Sequence, residues 1–372
     1  MELSRSDSKR NTKNIESREK LPHELVMEIL SRLHIKHLSP LRFVSKTWFN
    51  LLTNDPQFAK LQFDRFMEIN NNYPDPMILA NMCSKENEND PYLFLATEFT
   101  SCDKAIPLRF PFYQAPNTYG LYGICNGLLC LSRDDDKEVY IWNPLVKDHI
   151  TISCLPTPSI RFPGYNRTTT GFAFGFDRDN NVYKVVRFFE ETEFDEVQGM
   201  IHDSWTQISV YTIGIDFMWR TVEVDIPHAL IPTCRIIPLV NGVLHWRTNR
   251  PGTTSWDLMV TFDLKEEVIS ELLPPQEYGV VSSWSKQYVL RKPEGYKHIF
   301  HVHTLGVSHD GALIIKMFFG GFLQCNFYTN SVTALEDFDI PYGVFLAYAY
   351  LGSIISPTVI NGAGHNLLEE ES

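Results

Sequence analysis

At 372 residues, with 44% apolar and 13% aromatic side chains, the chain is long enough for one small and one large domain built on a substantial core. Charged residues make up only 21%, which excludes a mostly disordered chain, and a net charge of −12 excludes the broad basic surface that nucleic-acid phosphates require. Such an acidic chain favours basic protein partners, chiefly by speeding encounter.

The seven cysteines stand at 83, 102, 125, 130, 154, 234 and 325 without a C-x-x-C pair, so they suggest neither a zinc site nor a disulfide framework. Residues 1–20 are polar, lack the apolar core of a signal peptide and are expected to be a disordered tail. The longest apolar run, VFLAYAYLGSII from Val344 to Ile355, is too short to span a bilayer and is broken by Gly352 and Ser353. The expected location is therefore cytosol or nucleus, with no membrane contact.

Residues 21–54, LPHELVMEILSRLHIKHLSPLRFVSKTWFNLLTN, carry the clearest helical pattern. Leu25, Ile29, Leu30 and Leu33 share one helix face, with Pro22 suited to the first turn and Glu24 to the positive end of the dipole. A helix is expected from Pro22 to near Leu33. Ser39-Pro40 reads as a second start, followed by Leu41, Val44, Trp48, Leu51 and Leu52 on one face, with IKHL as the joint. So short a helical unit cannot bury this many large side chains alone, and its leftover apolar face wants a protein surface, its own chain's or a partner's. From Pro56 to about Asn72 a further helical pattern reads as a rigid connector.

From Tyr73 the composition changes to prolines, aromatics and β-branched residues with regular turn signals. CNGLLCL from Cys125, VNGVLHW from Val240 and HDGALII from His309 repeat a turn pair followed by apolar residues, and DRDNNVYKVVRF from Asp177 is a looser copy. Asn-Gly and Asp-Gly supply the positive φ of tight hairpins, so each copy marks a hairpin entering a buried strand. A strand with an aromatic follows each: VYIWNP at 139–144, ISVYTI at 208–213, LMVTFDL at 258–264 and LQCNFYT at 323–329. Strands recurring at this spacing without helices between them favour a β-propeller, with a large sandwich as the alternative.

Leu21-Pro22-x-x-Leu25-x-x-x-Ile29-Leu30-x-x-Leu33, then Leu38, then Val44-Ser45-Lys46-x-Trp48, resembles the F-box over about 35 residues. Pro40 departs from that pattern and is expected to shorten the middle helix. Asn126 to Cys130, Ile141 to Pro144, Gly175 to Val186 and Ser353 to Pro357 follow the order of the F-box-associated domain of plant F-box proteins. True kelch repeats would show Gly-Gly in each blade, and here only Gly320-Gly321 does. The resemblance implies a multidomain α plus all-β chain: a tail at 1–20, a small three-helix F-box at 21–60, a connector at 61–90, a large antiparallel propeller-like β domain at 91–357 and a tail at 358–372. It also implies a non-catalytic substrate receptor of an SCF-type (Skp–cullin–F-box) ubiquitin ligase. Leu21, Pro22, Leu25, Ile29, Leu30, Leu33, Leu38, Val44 and Trp48 would meet the Skp-family adaptor, which joins a cullin scaffold. The segment GLYGICNGLLCLS is also similar to pollen F-box proteins of self-incompatibility, which recognise ribonucleases.

For chemistry the sequence offers little. Ser308-His309-Asp310 has the letters of a catalytic triad, but contiguous residues cannot converge on one atom, and a hairpin turn explains them. His301-x-His303 lacks a nearby carboxylate or cysteine to complete a metal set. Phosphate-loop, zincin and nucleophile-elbow motifs are absent, and no cofactor is implied. Asn166-x-Thr168 would be a glycosylation acceptor only in a secreted chain. The run Glu190, Glu191, Thr192, Glu193, Phe194, Asp195, Glu196 reads as a charged loop that is either simply solvated or meets a basic target over one face of the β domain. Trp205, Trp219, Trp246, Trp256 and Trp284 divide between core and interface anchors. Against a receptor stands a propeller that holds a carbohydrate or other small ligand in its channel, with the F-box as tether; an enzyme comes third.

Overall fold

A computed structural model describes residues 21–362 apart from 71–76, 83–92, 97–105, 112–118, 134–136, 157, 159–165, 195–200, 224–235, 249–257, 273–301, 308–310, 318–320, 327, 330 and 336–343. Four helices come first: α1 (His23–Ser31), α2 (Ile35–Leu41), α3 (Lys46–Asn54) and α4 (Pro56–Ile69). Pro22 precedes α1, and its carbonyl accepts from the Leu25 and Val26 amides. Ser45 caps α3 by accepting from the Trp48 amide at 3.2 Å, and Asp55 caps α4 by accepting from the Phe58 amide at 2.9 Å.

The middle of this module differs from the sequence reading. Ser39-Pro40 does not start a helix: the His34 carbonyl already accepts from the His37 and Leu38 amides, so IKHL is the body of α2 rather than a joint. Pro40 falls in the last turn, and α2 stops one residue later after seven residues, with closing bonds from Phe43 N–H to the Pro40 carbonyl and from Val44 N–H to the Leu41 carbonyl.

The rest is antiparallel β-structure. Among the described residues it forms five four-stranded sheets. The first holds β1 (Met77–Met82), β2 (Leu93–Ala96), β3 (Ile106–Leu108) and the last strand, β20 (Val344–Tyr350), in the order β20-β1-β2-β3. The second runs β4 (Tyr119–Cys125), β5 (Leu128–Arg133), β6 (Glu138–Asn143), β7 (Asp148–Ser153), and the third β8 (Asn166–Asp177), β9 (Val182–Phe194), β10 (Ile201–Thr212), β11 (Arg220–Val222). The fourth is β12 (Leu239–Val240), β13 (Val243–Thr248), β14 (Leu258–Asp263), β15 (Val268–Leu272), and the fifth β16 (Val302–Val307), β17 (Leu313–Met317), β18 (Phe322–Asn326), β19 (Ser331–Leu335). Consecutive hairpins in separate four-stranded units, with the chain's last strand completing the first unit, are the plan of a propeller.

The Asn-Gly turns lie where the repeats place them. Asn126-Gly127 (φ 48° and 78°) and Asn241-Gly242 (φ 51° and 80°) join β4 to β5 and β12 to β13, with Cys125 opposite Leu128 and Val240 opposite Val243. Two domain boundaries move. β1 lies inside the expected connector 61–90, yet it pairs with β20 from Met77↔Tyr350 to Met82↔Val344 and belongs to the β domain. At the other end, residues 357–362 are helical, and Ile360 packs against the core, so the expected tail from 358 begins as part of the fold.

One apolar cluster unites the two parts. Leu30, Ile35, Leu38, Leu51, Leu52 and Phe58 from the helices share it with Leu128, Cys130, Val139 and Ile141 of the second sheet and Phe172, Phe174 and Tyr183 of the third. Between them runs the closing segment that carries Ile354 and Ile355. Buried side chains also bridge the first and second sheets (Leu79 and Tyr350 with Leu121 and Trp142) and the third and fourth (Phe188 with Leu244 and Trp246, its ring 5.2 Å from the indole).

Candidate functional site

The helical module turns one side to the β domain and leaves another bare. Leu25 and Ile29, one turn apart on α1, are 50% and 51% exposed, and Leu21 and Pro22 precede them in the open. Phe43 and Val44, at the corner between α2 and α3, are 83% and 61% exposed, and Phe49 on α3 is exposed as well. Leu33 and Trp48 are half-buried against the shared cluster. Leu30 and Leu38 correct the sequence reading: at 2% and 0% exposure they are enclosed by their own chain, so they seat the helices and offer no surface. Phe43 and Phe49 are the converse, exposed aromatics that the anchor pattern does not include. Scattered apolar side chains on a surface mean little, but this many on one small module make it a candidate interaction face.

Electrostatics hold α1 to its neighbour. Glu28 accepts from Arg32 Nε at 3.0 Å, and Arg65 of α4 approaches it at 3.8 Å, which ties α1 to α4. The Arg32 hydrogen bond holds the Glu28 carboxyl below the usual carboxylate range. Gln62 of α4, itself buried, donates from Nε2 to the Leu33 carbonyl at 3.0 Å and closes the end of the α1 turn.

The seam between module and sheets is built from the closing segment. Asn143, fully buried, donates from Nδ2 to the carbonyls of Ser353 (2.9 Å) and Ile355 (2.8 Å), while its Oδ1 accepts from the Leu145 amide (3.0 Å). Ser353 Oγ donates to the Asn126 carbonyl at 2.6 Å and Tyr350 OH to the Gly127 carbonyl at 2.9 Å. Asp148 accepts from the Thr358 amide (3.0 Å) and hydroxyl (2.6 Å) and from the Ser356 hydroxyl, and although burial opposes it, these bonds hold the carboxyl below its ordinary range. Lys60 of α4 donates to Asn181 Oδ1 at 2.6 Å, a direct tie from helix to the third sheet.

A second network, buried at Lys184 and Asp177 and open at Arg220, joins the third and fourth sheets. Lys184 Nζ lies 3.6 Å from Asp177 and 2.9 Å from Glu267, and donates to the Leu264 carbonyl; Arg220 reaches Glu267 at 2.8 Å and Asp216 at 3.1 Å. The Arg220 hydrogen bond, opposed by burial and helped by Lys184, depresses the Glu267 carboxyl. In Asp177 burial is outweighed by Asn180 and Lys184, again with a net depression.

From Glu190 to Phe194 the acidic run is strand, not loop. Glu190 and Glu191 are buried within β9, where Glu190 stands opposite Thr169 and Thr206, and Glu191 opposite Thr168 and Trp205. Thr168 to Thr170 on β8 are β-branched, so sheet pairing carries on past Phe189 into the acidic residues of β9. Glu193 is half-buried on the same strand, and Asp195 and Glu196 lie outside the described residues. The expected overhang at Glu190 and Glu191 is thereby overturned.

The inner strands β4, β8, β12, β16 and β20 bring Asn126, Phe176, Asn241, Leu305 and Tyr348 around one cavity of about 370 Å³, with Arg178 at its edge. Every sheet contributes to it. Of the tryptophans, Trp219 and Trp246 are buried and Trp205 half-buried, whereas Trp256 and Trp284 fall outside the described residues, as do His301 and the Ser308-His309-Asp310 turn. Burial pushes the Cys125 thiol up to about 12 and that of Cys130 further, so neither supplies a thiolate at neutral pH. Among the described residues no group of three His, Cys, Asp or Glu is placed to hold a metal ion, and no helix is long and apolar enough to cross a membrane.

Comparison with known proteins gives two family matches: residues 19–60 to the F-box domain and residues 93–291 to the F-box associated beta propeller domain. Similar curated proteins come from Arabidopsis thaliana. An F-box/kelch-repeat protein is 23% identical over 71% of this chain and 68% of its own length, and F-box protein CPR1 is 24% identical over 78% of each. A shorter F-box protein is 31% identical over 50% of this chain and 81% of its own length. For two further F-box proteins the matched part is 62% and 65% of their length, so the chain spans a little under two thirds of those relatives.

Proposed function

This chain belongs to the plant F-box proteins that carry a C-terminal F-box-associated β-propeller domain, and from that premise we propose that it is the substrate-recognition subunit of an SCF-type ubiquitin ligase. The observation that carries the reading is the bare apolar face of Leu21, Pro22, Leu25, Ile29, Phe43, Val44 and Phe49, on a module whose other side is already sealed to the β domain. A Skp-family adaptor covers that face, with half-buried Leu33 and Trp48 at its border, and couples the chain to a cullin scaffold. The β domain holds the target. The chain itself makes and breaks no bond: it raises the effective concentration of target lysines near the ubiquitin thioester.

Rigidity matters to such a mechanism, because the angle between the adaptor face and the target face sets which lysines come within reach. Asn143, Ser353, Asp148 and Lys60 supply that rigidity by tying helices, closing segment and sheets together. The target is a basic protein, in keeping with the net charge of −12. Of the acidic run, Glu193 with Asp195 and Glu196 remain candidates to meet it, and Glu190 and Glu191 do not.

The test is co-purification with a Skp-family adaptor. Leu25→Ala combined with Phe43→Ala removes two exposed anchors and is expected to weaken the adaptor complex at least tenfold while thermal unfolding of the chain stays unchanged. Undiminished adaptor binding by the double variant rejects the proposal.

A further inference from the structure

Where α4 leans over the turn between β8 and β9, the two domains enclose a cleft of about 500 Å³. We propose that this seam is a binding site for a small, flat aromatic compound that is neutral or cationic and carries a hydroxyl or ammonium donor. Its volume falls in the range of small-molecule sites, which favour domain boundaries and apolar walls with a few polar groups. The aromatic wall comes from both sides: Phe63 from α4, and Phe176 and Tyr183, whose rings lie 4.7 Å apart, from the β domain. Ile213, Ile215 and Ile360 complete the apolar lining.

The polar groups select the charge of the occupant. Asp55 and Asp64 both line the cleft; Asp55 is engaged by the Phe58 amide, whereas Asp64 makes no ion pair among the described residues. The one lining ammonium, Lys60, already donates to Asn181 at 2.6 Å. Two carboxylates against one ammonium leave the lining net negative, which disfavours an anionic ligand. Asn126 and Phe176 line both this cleft and the axial cavity, so an occupant here also abuts the propeller channel.

A compound in the seam touches both domains and stabilises their mutual placement in proportion to its occupancy. This inference stands apart from the ligase reading, since its test involves neither adaptor nor ubiquitin. The full chain is titrated with 2-naphthylmethylamine, 2-naphthol and 2-naphthoate and followed by ligand-observed NMR. The amine and naphthol are expected to bind, with naphthoate at least tenfold weaker. Ile215→Trp, at a half-exposed position on the rim, should fill the opening and weaken both ligands about tenfold. Asp64→Asn should bring the amine down to the affinity of naphthol and leave naphthol unchanged. Failure of the amine and naphthol to bind, naphthoate binding as tightly as they do, or binding indifferent to both substitutions would each overturn the inference.

Discussion

Asn143→Ala isolates the closing segment. The substitution removes three hydrogen bonds of 2.8 to 3.0 Å from a fully buried position and strands the carbonyls of Ser353 and Ile355. At about 1 kcal/mol for each bond the loss is about 3 kcal/mol, and it rises if water cannot reach the abandoned carbonyls. Urea unfolding of the full chain measures the magnitude, and hydrogen exchange read by mass spectrometry locates it. Amides of residues 352–360 should lose protection first, because their neighbours Ile354 and Ile355 pack with Leu30, Leu38 and Phe58 in one cluster. Asn143→Asp supplies an internal check on the cause. Its carboxylate would face two carbonyls, so its pKa in the folded state must rise above the unfolded value, and the added penalty should fade as the pH drops and the acid regains a donor. A loss under about 0.5 kcal/mol for Asn143→Ala, with protection at 352–360 unaltered, would refute the reasoning.

Leu30→Ala should destabilise the chain by about 2–5 kcal/mol through a core cavity, whereas Leu25→Ala should move stability by less than about 0.5 kcal/mol; parallel urea melts check the contrast. Lys184→Met leaves the Asp177 and Glu267 carboxylates without their shared cation, and a loss of about 3 kcal/mol is expected by the same assay. Asp148, Asp177 and Glu267 all have carboxyls depressed in the fold. Their contribution is therefore complete above the usual carboxylate pKa of about 4 and is lost as the pH falls through the lower folded values, so melting temperature should decline in acid and the decline should be shallower in Lys184→Met. Gly127 has φ 78°, and a Cβ there would stand 2.5 Å from Ser353 Oγ and 2.6 Å from its amide nitrogen; Gly127→Ala should cost about 1–3 kcal/mol, measured by thermal unfolding.

Local signals were the legible ones. Asn126-Gly127 and Asn241-Gly242 announce their hairpins because few other pairs tolerate two successive positive φ angles, and the periodicity of Leu25, Ile29 and Leu33 marks α1 without any tertiary information. What escaped is decided at a distance. MILANM of β1 follows a helical connector in the sequence, and its place in a sheet is fixed by its partners β2 and the remote strand β20. Glu190 and Glu191 read as loop because charge usually seeks water, yet strands on both sides extend past Phe189 and carry them inward. Leu25 and Leu30 belong to one apolar pattern, and nothing in that pattern tells which of the two α4 and the sheets will cover; the answer, 50% against 2% exposure, divides a surface residue from a core one. Phe43 escaped for the same reason.

Pairing of β1 with β20 and the stapling of residues 353–358 under Asn143 and Asp148 have a consequence for biosynthesis. The helices leave the ribosome long before the closing segment that forms the floor on which they rest. A message cut short before Val344 would yield helices without a seat and a first sheet without its inner strand. Only a ribosome that reads through the closing segment releases a chain whose helical module and sheets are held at a set angle.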